Sequence, residues 1–292
     1  MRRTTFMWVV FFCILILPLT SFAQGPAPGE ISCTRGGLKR AVDLYIQAQT
    51  KGDISILPLS TGVSYQENIA FADIKKGIVN EAMNIRFHQS LFDTDSCQTF
   101  TEVIVTTKEK PYVIGTRMRV NHGLIAELET IWTTTGYWLF DADAYLKYSS
   151  MEDWGPIPAE KRDSRGTLVS AANAYLDAFL EGKIDLVPWG FPCVRVEGGA
   201  YTGKDGKESP NDSCEVGVPA GVNITSRRFV VDEVIGSVVV YCTFGGGGSG
   251  AADSHLFRLE NGKLRYVHTL THLKMSDFQG PMPKQPGIKK KP

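Results

Sequence analysis

The sequence predicts an α+β protein built from two tandem copies of one unit, each a long helix packed on a curved, mostly antiparallel sheet. Three observations carry this. An amphipathic helix pattern occurs twice: Leu38, Ala41, Val42, Tyr45 and Ala48 share one helical face, and Leu168, Ala171, Ala172, Tyr175 and Phe179 repeat it. Each pattern ends at a glycine, Gly52 and Gly182. A β-hairpin signature also occurs twice. DSHLFRLENGKLRYVHTLTHL, from Asp253 to Leu273, breaks at Glu260-Asn261-Gly262, and Met118 to Thr133 echoes it with Gly123 over Gly262. Finally, each helix is followed by a run of strands, the order of an α+β layer.

The chain opens as a secretory signal, residues 1–23. Arg2 and Arg3 precede the apolar run Phe6 to Leu19, and Ser21-Phe22-Ala23 supplies a small-residue cleavage site. The run is too short to span a bilayer, which takes ~20 residues. The protein is therefore expected to be secreted, with no membrane association after cleavage. What remains is long enough for two domains of roughly 130 residues, each with its own core. We expect a first domain at 33–147, a charged, proline-containing linker at 148–164, a second domain at 165–273 and a disordered Pro/Lys-rich tail at 274–292.

Lysine and arginine number 31 against 31 acidic residues. That balance excludes the basic excess of a nucleic-acid binder. Five cysteines survive removal of the signal, and in an oxidising compartment most should pair. Cys33 with Cys97, and Cys193 with Cys214, are the natural pairs. The second would staple the polar loop 198–211. Cys242, in the strand VVVYCTF, reads as a buried free thiol. Asn211 and Asn223 head glycosylation sequons.

The helical offset extends into the next strand, so Tyr65 meets Arg195 and Glu67 meets Glu197. Material then differs between the copies. The first shows a helix-like stretch from Asp73 to Met83, the second the stapled loop. Beyond a net insertion in the second copy, Asp93 meets Asp232 and Glu129 meets His268. A curved sheet wrapped on one helix leaves a pocket between them.

Strand alternation places Leu264, Tyr266, His268, Leu270 and His272 on one face. His268 with His255, Asp232 and Tyr266 forms the leading catalytic candidate. A histidine oriented by a carboxylate in an apolar pocket can take a proton near neutral pH, and Tyr266 can donate to a developing oxyanion. Arg258, Arg228, Glu197 and Tyr241 are candidate ligand contacts, with ion pairs Arg258–Asp232 and Arg228–Glu197 expected. His255, His268 and His272 lack metal-ligand spacing, so neither metal nor cofactor is expected. The phosphate-loop and nucleophile-elbow patterns are absent.

On Cys193-Val-Arg-Val-Glu197, Ser226-Arg-Arg-Phe-Val-Val-Asp232 and Asp253-Ser-His255 through Thr271, the chain resembles the SnoaL-like branch of the nuclear transport factor 2-like superfamily, in tandem, and a group of secreted proteins of filamentous fungi. The resemblance implies cone-like domains whose concave sheet faces line a cavity. The superfamily contains cofactor-independent isomerases, cyclases and dehydratases, and also non-catalytic binding domains. The sequence thus points to a secreted small-molecule cavity protein. It is read as a lyase, isomerase or cyclase using a His/Asp base on a partly apolar metabolite, or alternatively as a non-catalytic ligand-binding or structural protein of the same fold. It leaves the oligomeric state open.

Overall fold

The computed structural model describes residues 30–203, 207–215, 220–246 and 250–278. The expected signal peptide and most of the expected tail lie outside them. Two helix-and-sheet modules of like topology follow one another. In the first, α1 (Arg35–Lys51) precedes β1 (Leu59–Glu67), β2 (Ala70–Phe71), β3 (Phe87–Asp93), β4 (Gln98–Val105), β5 (Tyr112–Asn121) and β6 (Leu124–Thr134). A short helix α2 (Ala142–Ser149) then leads to the second. There α3 (Arg165–Glu181) precedes β7 (Trp189–Glu197), β8 (Ala200–Tyr201), β9 (Ile224–Asp232), β10 (Ser237–Phe244), β11 (Ala251–Glu260) and β12 (Lys263–His272). The sheet orders are β2-β1-β6-β5-β4-β3 and β8-β7-β12-β11-β10-β9. In each sheet one pair is parallel, β1 with β6 and β7 with β12, and the rest are antiparallel.

The helices form where their caps allow. Thr34 accepts from Gly37 N at 3.1 Å, Ser164 accepts from Thr167 N at 3.2 Å, and Gly52 and Gly182 close the C-termini at φ 63° and 67°. The long hairpins turn at His122-Gly123 and Asn261-Gly262, all at positive φ, the conformation a two-residue turn of this hand needs. Disulfides join Cys33 to Cys97 and Cys193 to Cys214, and Cys242 is free and buried.

The sheets pack face to face, giving a helix–sheet–sheet–helix sandwich. Their shared core holds Leu91, Phe100 and Ile131 of the first module against Val230, Val239, Tyr241 and Leu256 of the second. Polar contacts across this interface repeat about an approximate two-fold axis. Asp232 takes Arg35 Nη1 at 2.7 Å and Phe92 N at 3.0 Å. Its counterpart Asp93 takes both Arg165 Nη atoms at 2.8 Å and Val231 N at 2.9 Å. An interface in which each patch meets its own equivalent is isologous, the arrangement of a symmetric dimer, here within one chain.

Three local expectations are corrected. Residues 73–83 are not a helix but two 3₁₀ turns, Ile74–Lys76 and Ile78–Asn80. Gly77 between them lies flat on Tyr65, where a Cβ would sit 2.2 Å from the phenol oxygen, and Glu67 takes the Ile78 N–H at 3.0 Å. The chain from 274 to 278 is ordered. Lys274 bridges Tyr137, and Phe278 packs on Trp138 with centroids 4.7 Å apart. Finally, an irregularity in register between Leu264 and Tyr266 breaks strand alternation. Leu264 therefore faces α3 with Val267, while Tyr266, His268 and Leu270 face the other sheet.

Candidate functional site

The two histidines paired by the sequence argument lie on opposite faces of one sheet, in two different buried polar clusters.

His268 projects into the interface between the modules and is 1 % exposed. Its Nδ1 lies 2.9 Å from Glu102 Oε1 on β4 of the first module. Its Nε2 lies 2.6 Å from Glu152 Oε2, which follows α2. Tyr145 of α2 donates to the other Glu102 oxygen at 2.8 Å, and Trp154 Nε1 donates to Glu152 at 2.9 Å. Both rings stand edge-on to the imidazole. Burial alone would depress the histidine pKa, but the two carboxylates outweigh it and raise it to about 10. The ring is thus an imidazolium at neutral pH. A group already protonated cannot serve as the base assigned to it, so the leading catalytic expectation is corrected.

Its expected partners are elsewhere. Asp232 is held by Arg35 and Phe92 N, and it also caps Val234 N at 3.1 Å. Tyr266 accepts from Asp153 N at 3.3 Å and packs on Trp154. The expected ion pairs are also replaced. Arg258 binds Glu260 at 3.2 Å and the carbonyls of Gly155 and Ile235. Arg228 crosses the interface to Glu129, and Glu197 pairs with Arg195 at 2.9 Å. Tyr241 is interface core, edge-on to Phe100 at 6.0 Å. Of the expected ligand contacts, only Glu197 belongs to the cluster described next.

That second cluster lies on the face of the second sheet that meets α3. Asp253 and His255 project from β11, Cys242 from β10, Thr269 and Thr271 from β12, Arg195 from β7 and Tyr175 from α3. Register explains the grouping: Cys242 opposes Asp253, Asp253 opposes Thr271, and His255 opposes Thr269. Asp253 Oδ2 lies 2.7 Å from His255 Nε2, and Oδ1 takes the Thr271 hydroxyl at 2.9 Å. Thr269 Oγ1 lies 3.3 Å from His255 Nδ1. Tyr175 packs against the His255 ring at 5.6 Å between centroids, and Arg195 lies over Tyr175 at 5.9 Å. Burial pushes the Tyr175 phenol up to about 12, so it remains a neutral donor. Burial works against the charge of Arg195, but the neighbouring Glu197 carboxylate outweighs it and holds the guanidinium above its usual range.

Two donors in this cluster, Tyr175 Oη and Arg195 Nε, are buried with no hydrogen-bond partner among the described residues. A buried donor left unmade costs about 1–3 kcal/mol. Glu197, at the rim, binds Trp138 Nε1 at 2.7 Å and is partly exposed.

The first module has no such chemistry at the matching places. Val103, Ile114 and Thr116 stand where the second has Cys242, Asp253 and His255, and Tyr65 stands for Arg195. Tyr45 there bonds Thr116 at 2.7 Å, and Tyr65 bonds Glu67 at 2.6 Å. Tyr45 and Tyr65 thus have the partners that Tyr175 Oη and Arg195 Nε lack. Comparing the two copies position by position gives a signal for part of this cluster, since Cys242 and Asp253 stand where the first copy has Val103 and Ile114. No local pattern pointed to Glu102, Tyr145, Glu152 or Trp154, which converge from three separate segments.

Fold and site together define a two-module α+β protein with a buried polar cluster between α3 and the second sheet. Residues 161–271, the span from just before α3 to β12, match a family model described as a domain of unknown function, DUF8021. Among solved structures, an NTF-2 like protein of unknown function from Burkholderia xenovorans LB400 is 15 % identical, with a TM-score of 0.27. That alignment covers 40 % of this chain and 89 % of that chain. Comparison with curated proteins gives no match.

Proposed function

We propose that the protein is an extracellular small-molecule-binding protein whose ligand sits in the second module, between α3 and the concave sheet face. The single observation carrying this reading is the pair of orphaned donors, Tyr175 Oη and Arg195 Nε. Their unmet hydrogen bonds call for an acceptor oxygen, so the ligand class is a small molecule bearing a carbonyl or carboxylate. The first module serves as a structural partner that buries the back of the second sheet. His268 takes no part in this site, since Glu102 and Glu152 hold it on the opposite face of the sheet. Two disulfides, and no helix among the described residues long and apolar enough to cross a membrane, are compatible with an extracellular setting. Asn211 and Asn223 are exposed and accessible as carbohydrate acceptors.

The test is thermal denaturation of the purified chain against a panel of small carboxylates and ketones. A ligand at 100 times its Kd stabilises by about 2.7 kcal/mol. Tyr175→Phe removes one donor and should abolish most of that shift while leaving the unliganded protein at least as stable. If no compound stabilises the wild type, or the variant responds equally, the reading fails.

A further inference from the structure

We propose that Cys242, Asp253 and His255 form a binding site for a divalent transition-metal ion of the zinc class. The inference goes beyond the small-molecule reading and stands independently of it. One ligand atom from each residue lies within 4.8 Å of the others, and all three side chains are buried. The strands impose this grouping, because Cys242 and Asp253 are direct cross-strand neighbours and His255 is the next residue on the same face. Thiolate, imidazole and carboxylate are the donor set that zinc takes in tetrahedral sites.

Binding needs two adjustments: the His255–Asp253 pair opens, and the Cys242 sulfur and His255 nitrogen, within 4.8 Å of one another, close toward the roughly 3.6 Å of a tetrahedral site. Tetrahedral zinc, with bonds of about 2.3 Å to sulfur and about 2.0–2.2 Å to nitrogen and oxygen, separates sulfur from oxygen by roughly 3.5 Å and nitrogen from oxygen by roughly 3.3 Å. Cys242 Sγ lies 3.8 Å from Asp253 Oδ2. His255 Nε2 lies 2.7 Å from the same oxygen, a hydrogen-bond distance that opens when a metal replaces the shared proton.

The outer contacts are those a metal site needs. Thr271 donates to Asp253 Oδ1 at 2.9 Å and Thr269 lies 3.3 Å from His255 Nδ1, so both the carboxylate and the ring are oriented from behind. The Asp253 carboxylate is fully buried, with His255 at 2.7 Å and the Thr271 hydroxyl at 2.9 Å as its partners, so a metal ion would enter between groups that already face one another. Three protein ligands leave a fourth position for water or a ligand oxygen.

The test uses the full chain, freed of any histidine tag, stripped with chelator and titrated with cobalt(II) chloride alone. A thiolate-to-cobalt charge-transfer band should grow and saturate at one equivalent, and zinc(II) should displace it. Cys242→Val, which installs the residue the first module carries at Val103, should lose the band. Thr271→Val should keep the band but weaken cobalt binding about 10-fold or more. The titration contains no carboxylate or ketone, so its outcome is read separately from that of the small-molecule panel. Native mass spectrometry of the wild type with zinc gives a second readout that does not depend on a variant folding. Absence of the band and of a one-zinc mass increment in the wild type overturns the proposal, as does an equal band in a folded Cys242→Val protein.

Discussion

Substituting His268 should destabilise the whole protein, and the loss should shrink in alkaline solution. Removing the imidazolium leaves Glu102 and Glu152 facing one another across the vacated space, each with a side chain 1 % exposed. Breaking a buried ion pair by deleting one partner costs about 3–5 kcal/mol. In a chain of this length each kcal/mol moves the midpoint by roughly 2–4 °C, so His268→Gln should lower Tm by on the order of 10 °C near neutral pH. The pH dependence has a definite sign. The folded pKa is raised from 6.5 to about 10, so this stabilisation is fully present below 6.5 and is lost as pH rises through about 10. Urea denaturation of wild type and variant across that window measures the difference directly. Adding Glu102→Gln to the variant should recover part of the loss, since it removes one of the stranded charges. A difference below about 1 kcal/mol at neutral pH, or one that widens with rising pH, would falsify the view of His268 as the charged fastener between modules.

Further outcomes follow from the same geometry. Asp93 is buried, which alone would raise its pKa, yet Arg165 with Ser96 and the Val231 N–H holds it below the usual carboxylate range. Its contribution is therefore present above pH 3.8 and lost as pH falls through the depressed folded value. Asp93→Asn should flatten the acid limb of the stability curve and cost on the order of 2 kcal/mol at neutral pH. Replacing both Cys193 and Cys214 by alanine opens a loop with a sequence separation of 21, and should cost about 3 kcal/mol by loop-closure entropy, read by chemical denaturation. A change below ~1 kcal/mol would show that the loop is ordered without its staple. Gly77→Ala places a methyl group 2.2 Å from the Tyr65 oxygen and should lower Tm, while Gly36→Ala, with open space around it, should not.

Much of the architecture was readable because it is written in local chemistry. Gly52, Gly182, Gly123 and Gly262 stop helices and turn hairpins by backbone conformation alone, and the repeated apolar faces locate α1 and α3. The short helix α2 escaped notice although Asp141 caps it by accepting from Ala144 N, because eight residues hold too few turns for a periodic signal. The faces of β12 were misassigned for a comparable reason. One irregularity at Arg265 reverses every assumption of alternation between Leu264 and Tyr266.

The sequence by itself determined that a helix-and-sheet unit is used twice, where its two long helices stop and its long hairpins turn, and which residue types differ between the copies. Those features rest on interactions within a few residues or within one hairpin. Only the tertiary structure decided that His268 meets Glu102 and Glu152, and that Cys242, Asp253, His255, Arg195 and Tyr175 share one buried cluster. Those meetings depend on how two sheets stack and on strand register, and neither is encoded in any short stretch of the chain.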